Sequence, residues 1–118
     1  MSTALVTGAT GLVGSHVVER LLADGWSVRA LVRSPSSELS TLGVETMRGD
    51  VLDRDAFVAA AARCDTIFHT AAAITTPGGW EVFRRLNVDG TNNAIAAAES
   101  SGARLLQLSS VAVYGPTG

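Results

Sequence analysis

A short apolar segment near the N-terminus runs directly into three evenly spaced glycines, and this feature restricts the fold more than any other. The sequence reads TALVT at Thr3–Thr7 and then places Gly8, Gly11 and Gly14 at the start of an amphipathic segment. Glycine permits a tight turn and lets another backbone or a ligand approach closely. A merely flexible turn would also contain glycines. The elements around this stretch must therefore decide whether the glycines form a flexible turn or allow a ligand to approach the backbone.

Strand-like and helix-like segments alternate along the rest of the chain. Strands are predicted at 3–7, 27–33, 44–48, 66–69 and 104–109. Helices are predicted at 12–24, 35–42 (a short helix or a turn), 56–62 with Asp53 as its cap, and 80–101. Such alternation is typical of a parallel sheet with helices on both faces, and right-handed crossovers leave few topologies. We therefore predict a doubly wound α/β sheet in the strand order 3-2-1-4-5, with a ligand crevice at the carboxyl ends of strands one and four.

The composition favours a single packed domain and argues against several classes of partner. The 118 residues are 47% hydrophobic and 17% charged, which supports a folded core. The net charge of −2 argues against nucleic acid, and no segment approaches the ~18 consecutive apolar residues of a membrane helix. The single cysteine, Cys64, is typical of a reducing, cytoplasmic environment. All nine basic residues are arginines, which indicates a GC-rich and bacterial coding genome.

Placed between a strand and a helix, the three glycines predict a site for the phosphates of a dinucleotide. Gly8 permits the turn, Gly11 lets a pyrophosphate approach the backbone, and Gly14 lets the helix pack closely on the sheet. The helix N-terminus adds free N–H groups and the positive end of the helix dipole. Cofactor contacts are therefore predicted for Gly8, Thr10, Gly11, Leu12, Val13 and Gly14.

The glycine spacing, G-x-x-G-x-x-G, resembles that of the short-chain dehydrogenase/reductase superfamily. Four further stretches are similar to its extended branch, the NAD(P)-dependent epimerase/dehydratase family: RGDV (48–51), FHTAA (68–72), NVDGTNN (87–93) and SSVAVYG (109–115). The resemblance covers essentially the whole chain. It implies a Rossmann-type fold and an oxidoreductase, or a sugar-nucleotide epimerase or dehydratase, that acts on a small molecule. Residues 1–118 would then be the N-terminal, NAD(P)-binding portion of the enzyme.

The resemblance also implies roles for residues in these four stretches. Asp50 matches an acid that contacts adenine, and Asn87 matches a position that shapes the active site, although a bond to the backbone is an equal alternative. Ser110 matches the catalytic serine that hydrogen-bonds the substrate, whereas a serine after a strand also commonly turns the chain. Cofactor contacts are accordingly expected from Asp50, Val51, Thr70, Ala71, Ala72 and Asn87.

The end of the second predicted strand indicates which dinucleotide is bound. An acid about 20 residues after the glycines would bind the ribose 2′-hydroxyl of NAD. Arg33 and Ser34 stand there instead, and a guanidinium can hold a 2′-phosphate with two hydrogen bonds. This favours NADP(H), with NAD as the alternative, although Arg33 also fits an ordinary solvated strand end.

The catalytic pair of the family is not found in these residues. That pair is Tyr-x-x-x-Lys, which carries out acid–base catalysis beside the nicotinamide. The only tyrosine here, Tyr114, belongs to a V-Y-G turn, and there is no lysine. We therefore expect an inactive isolated chain with the pair in a C-terminal portion; the alternative is a non-catalytic, redox-sensing module. An open sheet edge after strand five predicts self-association or association with that portion.

The remaining candidates are predicted to be structural. His69 ends a buried strand, and with only the distant His16 as a second histidine no metal site is expected. Trp80 and Phe83 lie near the crevice mouth, where core packing is favoured over contact with a substrate. Cys64 is predicted to be a small core or surface residue.

Overall fold

The computed structural model of the chain describes residues 2–70, 81 and 84–107, with Leu86 described by its backbone alone. The strands are β1 (Thr3–Thr7), β2 (Ser27–Val32), β3 (Glu45–Arg48), β4 (Thr66–His69) and β5 (Arg104–Gln107). The helices are α1 (Leu12–Ala23), α2 (Ser37–Thr41), α3 (Arg54–Ala60) and α4 (Gly90–Ser101). A π-helical turn, Arg85–Asp89, leads directly into α4.

The described strands form one parallel sheet in the order β3-β2-β1-β4-β5, which confirms the predicted topology. Strand β1 lies at the centre, where Ala4 pairs with Val28 of β2 on one side and with Thr66 of β4 on the other. Parallel neighbours bring the carboxyl ends of β1, β2 and β4 to one edge of the sheet. The loops that follow these strands therefore meet above that edge, where doubly wound sheets bind ligands.

Both faces of the sheet are covered, so the three central residues of β1, Ala4, Leu5 and Val6, are all apolar. Ala4 and Val6 point to the face that α1 covers, where they pack with Val18. Leu5 points to the opposite face and packs with Phe57 of α3 and with residues of α4. This burial on both sides is typical of parallel sheets and explains the continuous apolar segment.

Within the described residues, which leave out 80, 108 and 109, the element boundaries agree with the predicted ones to within a few residues, with one exception. Asp53 caps α3 as predicted, since its side chain accepts a hydrogen bond of 3.2 Å from the N–H of Ala56. The exception is the last helix, which is not regular throughout, because Arg85–Asp89 forms a π-helical turn. π-helical segments are rare and only about one turn long, so an α-helix is the default prediction from a helical pattern.

Cys64 lies in the core beside α3, and its burial raises the pKa of the thiol.

Among the helices of the described residues, none is long and apolar enough to cross a membrane.

Candidate functional site

The turn between β1 and α1 is built almost entirely from backbone atoms. Gly8 has a φ of +68°, a conformation that side chains rarely adopt, and its carbonyl oxygen accepts a 3.0 Å hydrogen bond from the N–H of Gly11. Gly11 is the residue that precedes α1, with φ −78° and ψ 172°, and it has no side chain to cap the helix. The turn thus brings the chain from the sheet edge into the helix in four residues.

Gly14 permits the closest backbone contact of the site. A Cβ atom built on Gly14 would overlap the carbonyl oxygen of Gly8 and would lie 2.8 Å from Oγ1 of Thr70. The first turn of α1 is therefore pressed against the carboxyl ends of both β1 and β4. Any side chain at this position would push the helix N-terminus away from the sheet.

The N-terminus of α1 is open to solvent and bears no negative charge. Its first turn contains no acidic residue, and the side chains of Leu12 and Val13 are 79% and 54% exposed. The first N–H groups of a helix have no partner within it, and they carry the positive end of the helix dipole. This end of α1 is chemically suited to an anion.

A cavity of about 640 Å³ lies beside the turn, at the carboxyl edge of the sheet. Its walls come from the β1–α1 turn, from the end of β2 with the loop into α2, and from the loop after β3. The predicted residues in these walls are Gly8, Thr10, Arg33, Ser34, Asp50 and Val51. Gly11, Leu12, Val13 and Gly14 belong to the adjoining turn and the first turn of α1 rather than to the walls.

The cavity also contains residues that the sequence analysis did not single out. Pro35, Ser36, Ser37 and Glu38 line it together with Gly49. Ser36 caps α2 by accepting a 3.3 Å hydrogen bond from the N–H of Leu39. A serine followed by an acidic residue ahead of an apolar position is a helix-start signal, and this signal was the one available for locating these residues.

The loop after β3 is held in place by two side chains. Oδ1 of Asp50 accepts a 3.0 Å hydrogen bond from the N–H of Leu52, which fixes a local turn. Nδ2 of Asn93, on α4, donates a 2.8 Å hydrogen bond to the carbonyl oxygen of Val51. Asn93 is thus a supporting residue of the cavity wall, and its only signal in the sequence is its place in the NVDGTNN stretch.

Thr70 joins the ends of β4 and β1. Its hydroxyl donates a 2.6 Å hydrogen bond to the carbonyl oxygen of Thr7, and the residue does not line the cavity. Beside it, Nδ1 of His69 lies 2.7 Å from Oγ1 of Thr7. His69 is 2% exposed and packs against the ring of Phe57, and this burial lowers its pKa. The imidazole is therefore neutral at neutral pH, and its contact with Thr7 joins the end of β4 to the end of β1.

Asn87 lies in the π-helical turn, away from the cavity walls. Its carbonyl oxygen accepts a 2.6 Å hydrogen bond from Oγ1 of Thr91, which in turn is 2.9 Å from Nε2 of Gln107 at the end of β5. This chain of bonds connects the π-helical turn to the sheet edge.

Several predicted positions lie outside the described residues: Ala71, Ala72, Trp80, Phe83, Ser110 and Tyr114. Within the residues that are described, no three His, Cys, Asp or Glu side chains are grouped to hold a metal ion.

Comparison with known proteins connects this geometry to a family. The sequence profile of the NAD dependent epimerase/dehydratase family matches residues 4–118. A 3 beta-hydroxysteroid dehydrogenase/Delta 5→4-isomerase from Mycobacterium tuberculosis is 39% identical over an alignment of 109 residues, and the match covers 86% of this chain and 30% of that protein. A 2-alkyl-3-oxoalkanoate reductase from Stenotrophomonas maltophilia is 38% identical over 98 residues, which are 83% of this chain and 30% of that protein.

Solved structures show the same similarity. A mutant of uronate dehydrogenase from Agrobacterium tumefaciens, complexed with NAD, superimposes with a TM-score of 0.79 at 31% identity. The match covers 93% of this chain and 41% of the dehydrogenase. The chain spans about 30% of the length of each of the two curated relatives, the isomerase-type dehydrogenase and the reductase.

Proposed function

The chain belongs to the NAD-dependent epimerase/dehydratase family, and from that premise we propose that it binds a nicotinamide dinucleotide at the carboxyl edge of its sheet. The observation that carries the proposal is the contact between Gly14 and Gly8, where no Cβ atom fits. This contact holds the uncapped N-terminus of α1 against the sheet, facing outward. The N–H groups of the turn would bind the pyrophosphate, for which the helix dipole is favourable.

The cavity beside the turn is proposed to hold the adenosine half of the cofactor. Asp50 and Val51 would contact adenine from the loop after β3, and Oδ2 of Asp50 is the oxygen that does not hold the local turn. Thr70, Ala71, Ala72 and Asn87 stay predicted contacts of the cofactor. The solved dehydrogenase that resembles this chain contains NAD, which supports a nicotinamide dinucleotide of either kind.

NADP(H) is proposed as the preferred form. Arg33 and Ser34 both line the cavity just after β2, and both are exposed. A guanidinium binds a phosphate more strongly than it binds a hydroxyl, because the hydrogen bonds are charge-assisted. The expected result is tighter binding of NADPH than of NADH, and Arg33→Asp is expected to reverse that order.

The full-length protein is proposed to be an oxidoreductase or a sugar-nucleotide epimerase or dehydratase that acts on a small molecule. The relatives named above are a dehydrogenase and a reductase, and a nicotinamide cofactor supplies or accepts hydride. Ser110 is proposed to hydrogen-bond the substrate. Because the 118 residues contain no lysine, we propose that this chain alone binds the cofactor without turnover. The same observation supports the second candidate, a redox-sensing module, and an activity assay of the full-length protein distinguishes the two.

The edge of the described sheet is proposed to pair with another strand. Among the described residues, β4 is the one strand that pairs with β5, and Leu106 on β5 is 44% exposed. An uncovered edge invites strand pairing, either with a second copy or with a further portion of the protein. Sedimentation of this chain should therefore show association, and a strictly monomeric species over a wide concentration range would contradict it.

Dinucleotide binding is tested by calorimetric titration of NADPH and NADH into the unmodified chain and two variants. The variants are Gly11→Asp and Gly11→Asn, which have the same size and both cap a helix well. Only the aspartate adds a negative charge where the pyrophosphate is proposed to lie. We expect affinity for NADPH to be about tenfold lower in the aspartate variant than in the asparagine variant. Equal affinities, or no binding to the unmodified chain, would contradict the proposal.

A further inference from the structure

We infer that Glu38 is a specificity-determining residue of the cofactor site and that it opposes Arg33 at the ribose 2′-position. The inference rests on the proposed function, because it assumes that the cavity holds the adenosine half of a dinucleotide. Both residues line that cavity, and both are exposed. Neither forms an ion pair with any residue in the described part of the chain. Two residues of opposite charge thus line one cavity without forming an ion pair with each other.

The backbone beneath Glu38 is well anchored. The next residue, Leu39, is 4% exposed and packs in the core, and its carbonyl oxygen accepts a 3.0 Å hydrogen bond from the N–H of Val44. The Ser36 cap fixes the first turn of α2 from the other side. Glu38 is therefore held at the cavity wall, whereas its exposed side chain is available to a ligand.

The two charges favour different ribose substituents. A 2′-hydroxyl is a hydrogen-bond donor, which a carboxylate accepts, whereas a 2′-phosphate is an anion, which a carboxylate repels and a guanidinium attracts. Glu38 therefore strengthens binding of NAD(H) and weakens binding of NADP(H), and Arg33 acts in the reverse sense. The preference for NADP(H) that Arg33 produces is consequently small in the unmodified chain.

This predicts opposite effects for two substitutions that each remove one charge. Glu38→Gln removes the negative charge but keeps an oxygen at the cavity wall. It should shift the ratio of affinities about fivefold towards the 2′-phosphorylated ligand, as expected for the loss of one like charge near the surface. Arg33→Gln should shift the ratio in the other direction by a similar factor.

The probes for the test are adenosine 2′,5′-bisphosphate and adenosine 5′-monophosphate, which differ only in the 2′-phosphate. Dissociation constants for both are measured by calorimetry on the unmodified chain and on Glu38→Gln, Arg33→Gln and Glu99→Gln. Glu99 is exposed on α4 and lies outside the cavity. Glu99→Gln changes the net charge by the same amount as Glu38→Gln and therefore serves as its control. Thermal unfolding followed by circular dichroism checks that each variant is folded.

The expected result is opposite shifts for the two cavity variants and a ratio within about twofold of the unmodified chain for Glu99→Gln. If the unmodified chain binds both probes and Glu38→Gln leaves their ratio unchanged, or changes it no more than Glu99→Gln does, the role of Glu38 is wrong while the proposed function stands. If the unmodified chain binds neither probe nor NADPH, the proposed function fails and the role of Glu38 fails with it.

Discussion

Gly14 in the first turn of α1 packs directly on the carbonyl group of Gly8, with no room for a Cβ atom between them. The two nearest obstructing atoms belong to the backbone of Gly8, so they cannot move aside as a flexible side chain would. We predict that Gly14→Ala lowers the free energy of unfolding by about 1–3 kcal/mol, the usual cost of overpacking. It should also abolish detectable NADPH binding, because the helix N-terminus is displaced. Urea unfolding and calorimetry measure the two effects.

The matched control for this prediction is Gly90→Ala at the start of α4. A Cβ atom there would lie 3.6 Å from Cγ2 of Val51 and 3.8 Å from Nε2 of His69, which are ordinary contact distances. Alanine is also favoured over glycine within a helix by up to about 1 kcal/mol. Gly90→Ala should therefore be neutral or stabilising. Equal losses of stability in the two variants would show that the close contact at Gly14 is not the cause.

Arg29 connects β2 to the end of α3. Its side chain is 15% exposed, and it donates hydrogen bonds of 2.7 Å and 2.8 Å to the carbonyl oxygens of Ala60 and Ala62. Its Nε is 2.9 Å from Oε1 of Glu45. Arg29→Lys cannot reproduce this planar set of donors, so we predict a loss of about 1–3 kcal/mol in the free energy of unfolding.

Arg20→Lys is the control for Arg29→Lys. Arg20 pairs with Asp24 across one turn of α1, and its side chain is 81% exposed. Exposed pairs of this kind contribute little, so the change should stay within about 0.5 kcal/mol. Urea unfolding of both variants under the same conditions compares them, and similar effects at the two positions would rule out a special role for Arg29.

Asn93 supports the cavity wall through the carbonyl oxygen of Val51. Asn93→Asp conserves the size of the side chain but removes the donor, so two acceptors then face each other. We predict a loss of about 1–3 kcal/mol in stability and weaker binding of NADPH, because the loop after β3 loses its attachment to α4. The exposed neighbour provides the control, since Asn92→Asp should change neither property. An unchanged affinity in Asn93→Asp would separate this bond from the cofactor site.

Burial of His69 makes stability depend on pH. Its pKa is lowered in the folded state from the ordinary value of 6.5, so the unfolded chain binds more protons in the range just below that value. Stability from this residue is fully present above pH 6.5 and is lost as the pH falls through the lowered pKa. Unfolding in urea should therefore need less denaturant at about pH 5.5 than at about pH 7.5.

His69→Asn isolates this effect from the titration of other groups. The side-chain amide of asparagine can donate or accept a hydrogen bond with the hydroxyl of Thr7 but does not titrate. The difference in unfolding free energy between the two pH values should be smaller in the variant than in the unmodified chain. If both proteins respond equally to pH, the dependence arises elsewhere.

The strand order and the glycine turn were predictable because both depend on short-range patterns. Apolar segments of strand length separated by amphipathic helices favour one arrangement, and Gly8, Gly11 and Gly14 stand where that arrangement requires close approach. The cap at Asp53 is equally local, since a residue and its partner three positions later suffice to identify it.

The parts that sequence did not predict depend on distant contacts. The bond from Asn93 to Val51 joins residues 42 positions apart, and no local pattern indicates it. The position of Glu38 in the cavity depends on how α2 packs on the sheet. Its neighbour Leu39 is the residue that is buried in the core, and this burial sets the orientation of α2. Thr70 was predicted to contact the cofactor, whereas its hydroxyl proton is engaged by Thr7. That contact stays a prediction, since the oxygen of Thr70 can still accept a hydrogen bond.

The most direct test of dinucleotide binding at the glycine turn is a titration of the ¹⁵N-labelled chain with NADPH, followed by amide chemical shifts. The account predicts saturable shifts that are largest in the turn and the first helical turn, 8–14, with a second group at the cavity wall, 31–38 and 49–51. Shifts confined to other regions, or no shifts at millimolar NADPH in a folded sample, would contradict it.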